Sequence, residues 1–166
     1  MAGKHASVAR DCDPAEAWSR GASAVIPDRV LDLEVLARPD QVPEVRHAVV
    51  DHLHRHGVAS VIIEDIELVT SELVTNAIIH PRGSGPMSRV HLRVVVDDNV
   101  VVTVGNRGSA AVIPPVEEWS PAPPPAVSGR GLGIVRRLSD AVAVEQRGDQ
   151  AVVSCRRHLP DGGGAP

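Results

Sequence analysis

A chain with no Phe or Tyr and only two tryptophans, Trp18 and Trp119, has to build its core from Val, Leu, Ile and Ala. β-Branched side chains pack well on a pleated surface. In this chain they come in short runs separated by turn signals, so the order of the runs constrains the fold. Val30–Leu36 alternates apolar and charged residues in part, as suits a strand. Asp40 then stands before Val42-Pro43-Glu44, with Pro43 near a first helical turn. Val45, Val49 and Leu53 follow at helical spacing up to Gly57, a left-handed stop. Residues 59–80 read as a long second helix closed by Pro81 and a Gly-rich loop. Two β-branched runs, 90–96 and 100–104, flank Asp97-Asp98-Asn99 and read as a hairpin.

The stretch 105–128 holds six prolines and reads as a loop or lid, after which residues 129–133 open a helix over 134–138. A last hairpin covers 141–155 and turns at Gly148-Asp149. Strand, helix, helix, hairpin, loop, helix, hairpin predicts an α+β two-layer sandwich. Its sheet is mixed and mostly antiparallel, with helices on one face. Strands do not alternate strictly with helices, which excludes a doubly wound parallel sheet. Residues 1–27 are expected to be a flexible extension, 28–159 one domain with a lid at about 109–128, and 160–166 a disordered tail.

The net charge of −4 gives no basic footprint, and aromatic platforms for bases are missing, so direct nucleic-acid binding is disfavoured. Cys12 and Cys155 lack metal-ligand spacing and are expected to be free thiols. No run approaches the ~18–20 apolar residues of a membrane span, and the N-terminus has no apolar signal region. A cytoplasmic protein is expected.

Within the second helix, Glu72, Asn76 and His80 recur every four residues and form one polar ridge. Ile66, Val69, Leu73 and Ala77 form the apolar stripe beside it. A carboxylate and an amide at the rim of such a stripe point into a cleft between helix and core. There they can offer oxygen ligands to a hard cation and a base near a reacting phosphate. Further on, Val104-Gly105-Asn106-Arg107-Gly108 lies where a strand is expected to leave the sheet into a tight turn. Ser128-Gly129-Arg130-Gly131-Leu132-Gly133 then puts bare backbone N–H groups before an apolar helix, an arrangement that favours phosphate. It is neither a Walker loop nor a dinucleotide fingerprint, because no Gly-Lys-Ser/Thr follows and no strand enters it.

This ordered set resembles the N, G1 and G2 boxes of the GHKL (Bergerat-fold) ATPases. The wording Ser71-Glu72-Leu73-Val74-Thr75-Asn76-Ala77, the small size and the short lid are similar to bacterial anti-sigma factors that are also serine kinases. The resemblance spans about residues 31–159. It implies ATP and Mg²⁺ as ligands, with Glu72 as general base toward a serine hydroxyl and Asn76 as the magnesium ligand. It also implies a nucleotide site that includes His80, Asn106, Gly108, Gly129, Arg130, Gly131, Leu132 and Gly133. The partners implied are a sigma factor and an anti-anti-sigma (STAS-type) protein, with a homodimer as the assembly.

Two departures concern the base end. The family's second box carries Asp where this chain has Asn106, and Ala151-Val152-Val153 lacks the hydroxyl that relatives often place in the last hairpin. Two other readings therefore stay open: an ATP-binding domain of a histidine-kinase-like system, and a non-catalytic partner-binding module. Four smaller features have simpler expectations. His47, His52, His54 and His56 are expected on a solvated helix face, as are Glu64, Asp65 and Glu67. Trp119 is either a cap over the nucleotide, a partner contact or a buried anchor. Arg136-Arg137 reads as an exposed patch.

Overall fold

The computed structural model describes residues 27–79, 88–120 and 130–160. It is an antiparallel five-stranded sheet in the order β1-β2-β3-β5-β4, formed by Val30–Leu36, Arg89–Val96, Asn99–Arg107, Ala141–Arg147 and Gln150–His158. Helices α1 (Gln41–Arg55), α2 (Ser60–Ile79) and α3 (Arg130–Leu138) complete the described fold, with single turns of 3-10 helix at Pro27–Arg29, Ala110–Val112 and Val116–Glu118. The expected two-layer architecture holds, and among the described residues every strand pair is antiparallel.

Alternation decides which face of the sheet is covered. Along β2, Val90, Leu92, Val94 and Val96 are buried, while Arg89 before them and Arg93 between them are exposed. Their partners across the ladder, Val100, Val102 and Val104 on β3, point the same way. That face meets Val45, Val49 and Leu53 of α1 and Ile62, Ile66, Val69 and Leu73 of α2 in one core. A one-residue slip would turn the whole apolar row outward, so the register is strongly specified. With Trp119 the one large aromatic in this core, the layer is filled by Val, Leu and Ile.

The helix bounds follow their signals. α1 runs out at Arg55, and Gly57 takes a left-handed φ of 69° two residues later. α2 is 20 residues long, and its second half carries the expected stripe, with Leu73 and Ala77 buried. No helix among the described residues is long and apolar enough to cross a membrane. Cys155 is free and buried, and burial raises its thiol pKa to about 12, so it is inert at neutral pH. Cys12 lies outside the described residues.

Two expectations about element ends need correction. The strand expected to stop at 104 continues as β3 to Arg107, so Asn106 sits in the sheet, 8% exposed, rather than in a turn. Its continuation is enforced by pairing with β5 from Gly105↔Val152 to Arg107↔Gln150. The helix expected over 134–138 begins earlier, at Arg130, and absorbs Gly131 and Gly133 into its first turns. Glycine costs a helix roughly 1 kcal/mol relative to alanine. Burial of Val135 and Gly133 against the core, and the close approach described below, offset that cost.

Candidate functional site

Glu72 and Asn76 lie one turn apart on α2, both half-buried, at the border between its core stripe and solvent. The nitrogen of the Asn76 side-chain amide is buried and has no hydrogen-bond partner. A buried unpartnered amide atom carries a desolvation cost of about 1–3 kcal/mol. Water, an ion or a ligand can complete such a group.

The first turn of α3 packs directly on this pair. A Cβ added to Gly131 would overlap a Glu72 carboxylate oxygen, and it would lie 3.2 Å from the Glu72 carboxyl carbon and 3.5 Å from the Asn76 amide nitrogen. Glycine at 131 therefore leaves room for the Glu72 carboxylate where the two helices meet at the polar ridge. The backbone N–H groups of Arg130, Gly131, Leu132 and Gly133 are the first four of α3 and have no acceptor within the helix. They also form the positive end of its dipole. A carboxylate, an orphaned amide and a bare helix N-terminus thus converge from two elements far apart in sequence.

Adjoining them is a cavity of about 620 Å³, within the range of small-molecule and cofactor sites. Its lining comes from Leu73, Asn76, Ala77 and Ile79 of α2, Val104 and Asn106 of β3, Ala151 and Val153 of β5, and Gly131 and Leu132 of α3. Asn106 donates its amide hydrogen to the Ala77 carbonyl at 3.0 Å. That carbonyl is among the last four of α2, which lack intrahelical donors. The bond fixes the amide orientation and leaves the Asn106 carbonyl oxygen as the atom free to accept from a ligand. Ala151 and Val153 give an apolar wall without a hydroxyl, whereas Ser154 faces the other side of the sheet and bonds to Thr103 at 3.1 Å.

Gly108 adopts φ 146°, which only glycine holds without strain, and its N–H donates to the Asp149 carbonyl at 2.8 Å. It shapes the exit from β3 and is not among the residues lining the cavity. His80 and Gly129 lie outside the described residues, and Arg130 is described by its backbone alone. The remaining wall was not anticipated. Val112, Ile113 and Pro114, in the segment between β3 and α3, line the cavity, and Val112 and Ile79 are 62% and 61% exposed. Large apolar side chains open to solvent at the mouth of a cavity suit a flat apolar-faced ligand. The sequence signal for the wall was slight: an apolar pair directly before Pro114-Pro115.

The smaller features divide between expectations met and expectations corrected. Trp119 is a buried anchor, 4% exposed, and its indole donates to the Pro114 carbonyl at 2.9 Å. Arg136 is exposed, yet its guanidinium donates to the carbonyls of Glu117 and Trp119. His52 is not on a solvated face but buried at 2%, with its ring 4.5 Å from that of His56. Its pKa is lowered, first by burial and next by the neighbouring His56. The helix phase explains this, because His52 falls next to Leu53 on the core side three and seven residues after Val49 and Val45. Glu64 is solvated as expected, but Asp65 pairs with Arg157 at 2.9 Å and Glu67 with Arg46 at 3.2 Å. Among the described residues no cluster of three or more His, Cys, Asp or Glu side chains could hold a metal. A cation here would need phosphate or water oxygens beside its protein ligand.

Residues 35–157 match the histidine kinase-like ATPase domain family. An anti-sigma F factor of Geobacillus kaustophilus is 34% identical over 104 residues, covering 58% of this chain and 70% of that protein. A second, from Geobacillus stearothermophilus, is 37% identical over 89 residues, covering 50% and 60%. Two solved structures share the fold. One is of the RsbU and RsbW domains of a Mycobacterium tuberculosis protein, at TM-score 0.57 and 20% identity, covering 78% of this chain and 32% of that one. The other is a SiaB–SiaC complex from Pseudomonas aeruginosa, at TM-score 0.60 and 17% identity, covering 90% and 99%.

Proposed function

This chain belongs to the histidine kinase-like ATPase domain family and is related to anti-sigma F factors, and on that premise we propose that it is an ATP-binding anti-sigma factor that phosphorylates a serine of an anti-anti-sigma partner. The observation that carries the proposal is the meeting of Glu72, Asn76 and the α3 N-terminus at Gly131, beside an apolar cavity.

The residues fit magnesium–ATP. Asn76 supplies the amide whose buried end lacks a partner. The two ends of an amide are interchangeable in placement, so its oxygen can meet a hard cation from that position. When bound, magnesium neutralises phosphate charge and makes the terminal phosphorus open to attack. The amides of residues 130–133 would hold the phosphate oxygens, and no cationic side chain is needed for that. Asn106, whose amide hydrogen Ala77 holds, would accept from the base through its carbonyl oxygen. Ala151, Val153, Ile113 and Val112 shield the faces of the base from water.

Glu72 takes the proton from the attacking serine hydroxyl. Its half-buried position keeps one side of the carboxylate near the α3 N-terminus and leaves access for a partner's serine. In keeping with the relation to anti-sigma factors, the ATP-bound chain sequesters a sigma factor and releases it when the anti-anti-sigma protein binds. Titration with Mg-ATP tests the first step. Micromolar binding that is lost in EDTA supports the reading; millimolar binding or none would favour a non-catalytic partner-binding module.

A further inference from the structure

The described part of the segment between β3 and α3, residues 108–120, is held at both ends. At its start Gln146 of β4 accepts from the Ala110 amide at 2.8 Å and donates to the Gly108 and Gly148 carbonyls at 3.1 and 2.9 Å. At its other end one guanidinium nitrogen of Arg136 donates to the Glu117 carbonyl at 2.8 Å and the Trp119 carbonyl at 3.2 Å. The buried Trp119 indole passes the restraint back to Pro114 through its 2.9 Å bond. Between the pins stand Val112, Ile113 and Pro114, the wall of the cavity. Val112 is 62% exposed, so packing alone does not hold the tip of that wall.

Helix α3 therefore carries two functions on one nine-residue rod. Gly131 and Leu132 border the cavity beside Glu72 and Asn76, and Arg136, little more than a turn further on, holds the Glu117 and Trp119 carbonyls just beyond the wall. That nitrogen carries two hydrogens and so can serve both main-chain acceptors at once. No carboxylate pairs with Arg136 among the described residues, so the wall segment is what its guanidinium holds.

We propose that Arg136 is a positioning residue that couples the apolar wall of the nucleoside end to the helix that meets the phosphates. Affinity for the base-bearing part of the ligand then depends on a side chain that touches neither base nor phosphate. The proposal rests on the cavity being the Mg-ATP site.

The test uses the full chain and its Arg136→Gln and Arg136→Lys variants, titrated with Mg-ATP, adenosine and Mg-tripolyphosphate. A second set in a Trp18→Phe background reads the emission of Trp119 alone. Arg136→Gln is expected to weaken Mg-ATP and adenosine about fivefold, as loss of one to two modest hydrogen bonds would. Binding of tripolyphosphate should stay within about a factor of two, Trp119 emission should shift to the red, and Arg136→Lys should fall between. Unchanged Mg-ATP affinity would overturn the proposal, and so would equal loss for Mg-ATP and tripolyphosphate. If Arg136→Gln fails to fold, the Lys variant decides by the same comparison. A wild-type chain that binds no Mg-ATP would sink the site reading and the coupling together, whereas normal ATP binding with an indifferent Arg136 sinks the coupling alone.

Discussion

Substituting Gly131 by alanine separates positioning of the Glu72 carboxylate from folding. The new Cβ would overlap a Glu72 carboxylate oxygen, and it would stand 3.2 Å from the Glu72 carboxyl carbon. Non-bonded carbon contacts settle near about 3.5–4 Å, so the carboxylate has to retreat by on the order of 1 Å. The obstacle is the far end of a flexible side chain, which can move at little cost. Alanine meanwhile recovers up to about 1 kcal/mol of helix propensity at position 131 of α3. Urea unfolding should therefore give a stability within about 1 kcal/mol of wild type. Asn76 lies at 3.5 Å, an ordinary contact, and should keep its place. Mg-ATP affinity should change only several-fold, while a base displaced by about 1 Å costs phosphoryl transfer roughly 100-fold. Transfer to the partner protein would be followed with labelled ATP, and affinity by calorimetry. Wild-type transfer by Gly131→Ala would refute the assignment of Glu72 as base. An unfolded variant would refute the claim that only a side-chain tip is in the way.

Two further outcomes follow from buried polar groups. His52 has its pKa lowered from 6.5, chiefly by burial and by His56 and less by Arg55, with a bond to the Arg29 backbone and the charge of Asp28 opposing. The unfolded chain thus binds the His52 proton more readily, and the contribution of His52 to stability, present above pH 6.5, is lost as pH falls toward the folded pKa. As pH falls below 6.5, denaturation midpoints should drop less in His52→Gln than in wild type; an identical slope would contradict this. Asn106→Asp, which restores the residue usual in related second boxes, should destabilise this chain by about 1–3 kcal/mol. It removes the donor to the Ala77 carbonyl and sets an oxygen against it. Equal or higher stability in denaturant would count against the capping role of Asn106.

Much of the fold was legible because periodicity reports burial directly. Val90, Leu92, Val94 and Val96 alternate and all four are buried; Leu73 and Ala77 fall on the predicted stripe and are buried too. The ends of elements were less legible, since they depend on partners distant in sequence. Asn106 remains in β3 because β5 pairs with it, and no residue near Asn106 announces that. Gly131 and Gly133 read as the lead-in to a helix because local propensity disfavours them inside one, and what Gly131 makes room for, the side chain of Glu72, stands on another element. His52 carries no mark distinguishing it from its exposed neighbour His54; only the phase of α1 does. The wall at Val112 and Ile113 and its grip by Arg136 depend on where the chain returns after its prolines, which composition does not disclose.

The central claim is that Glu72 and Asn76 serve one phosphoryl-transfer site in different roles. Incubation of wild-type, Glu72→Gln and Asn76→Ala proteins with labelled Mg-ATP and candidate anti-anti-sigma proteins tests it most directly. The account predicts that wild type labels a serine of the partner, that Glu72→Gln binds Mg-ATP with near-normal affinity but labels nothing, and that Asn76→Ala fails at binding. Full labelling by Glu72→Gln, or label carried by a histidine of this chain itself, would contradict it.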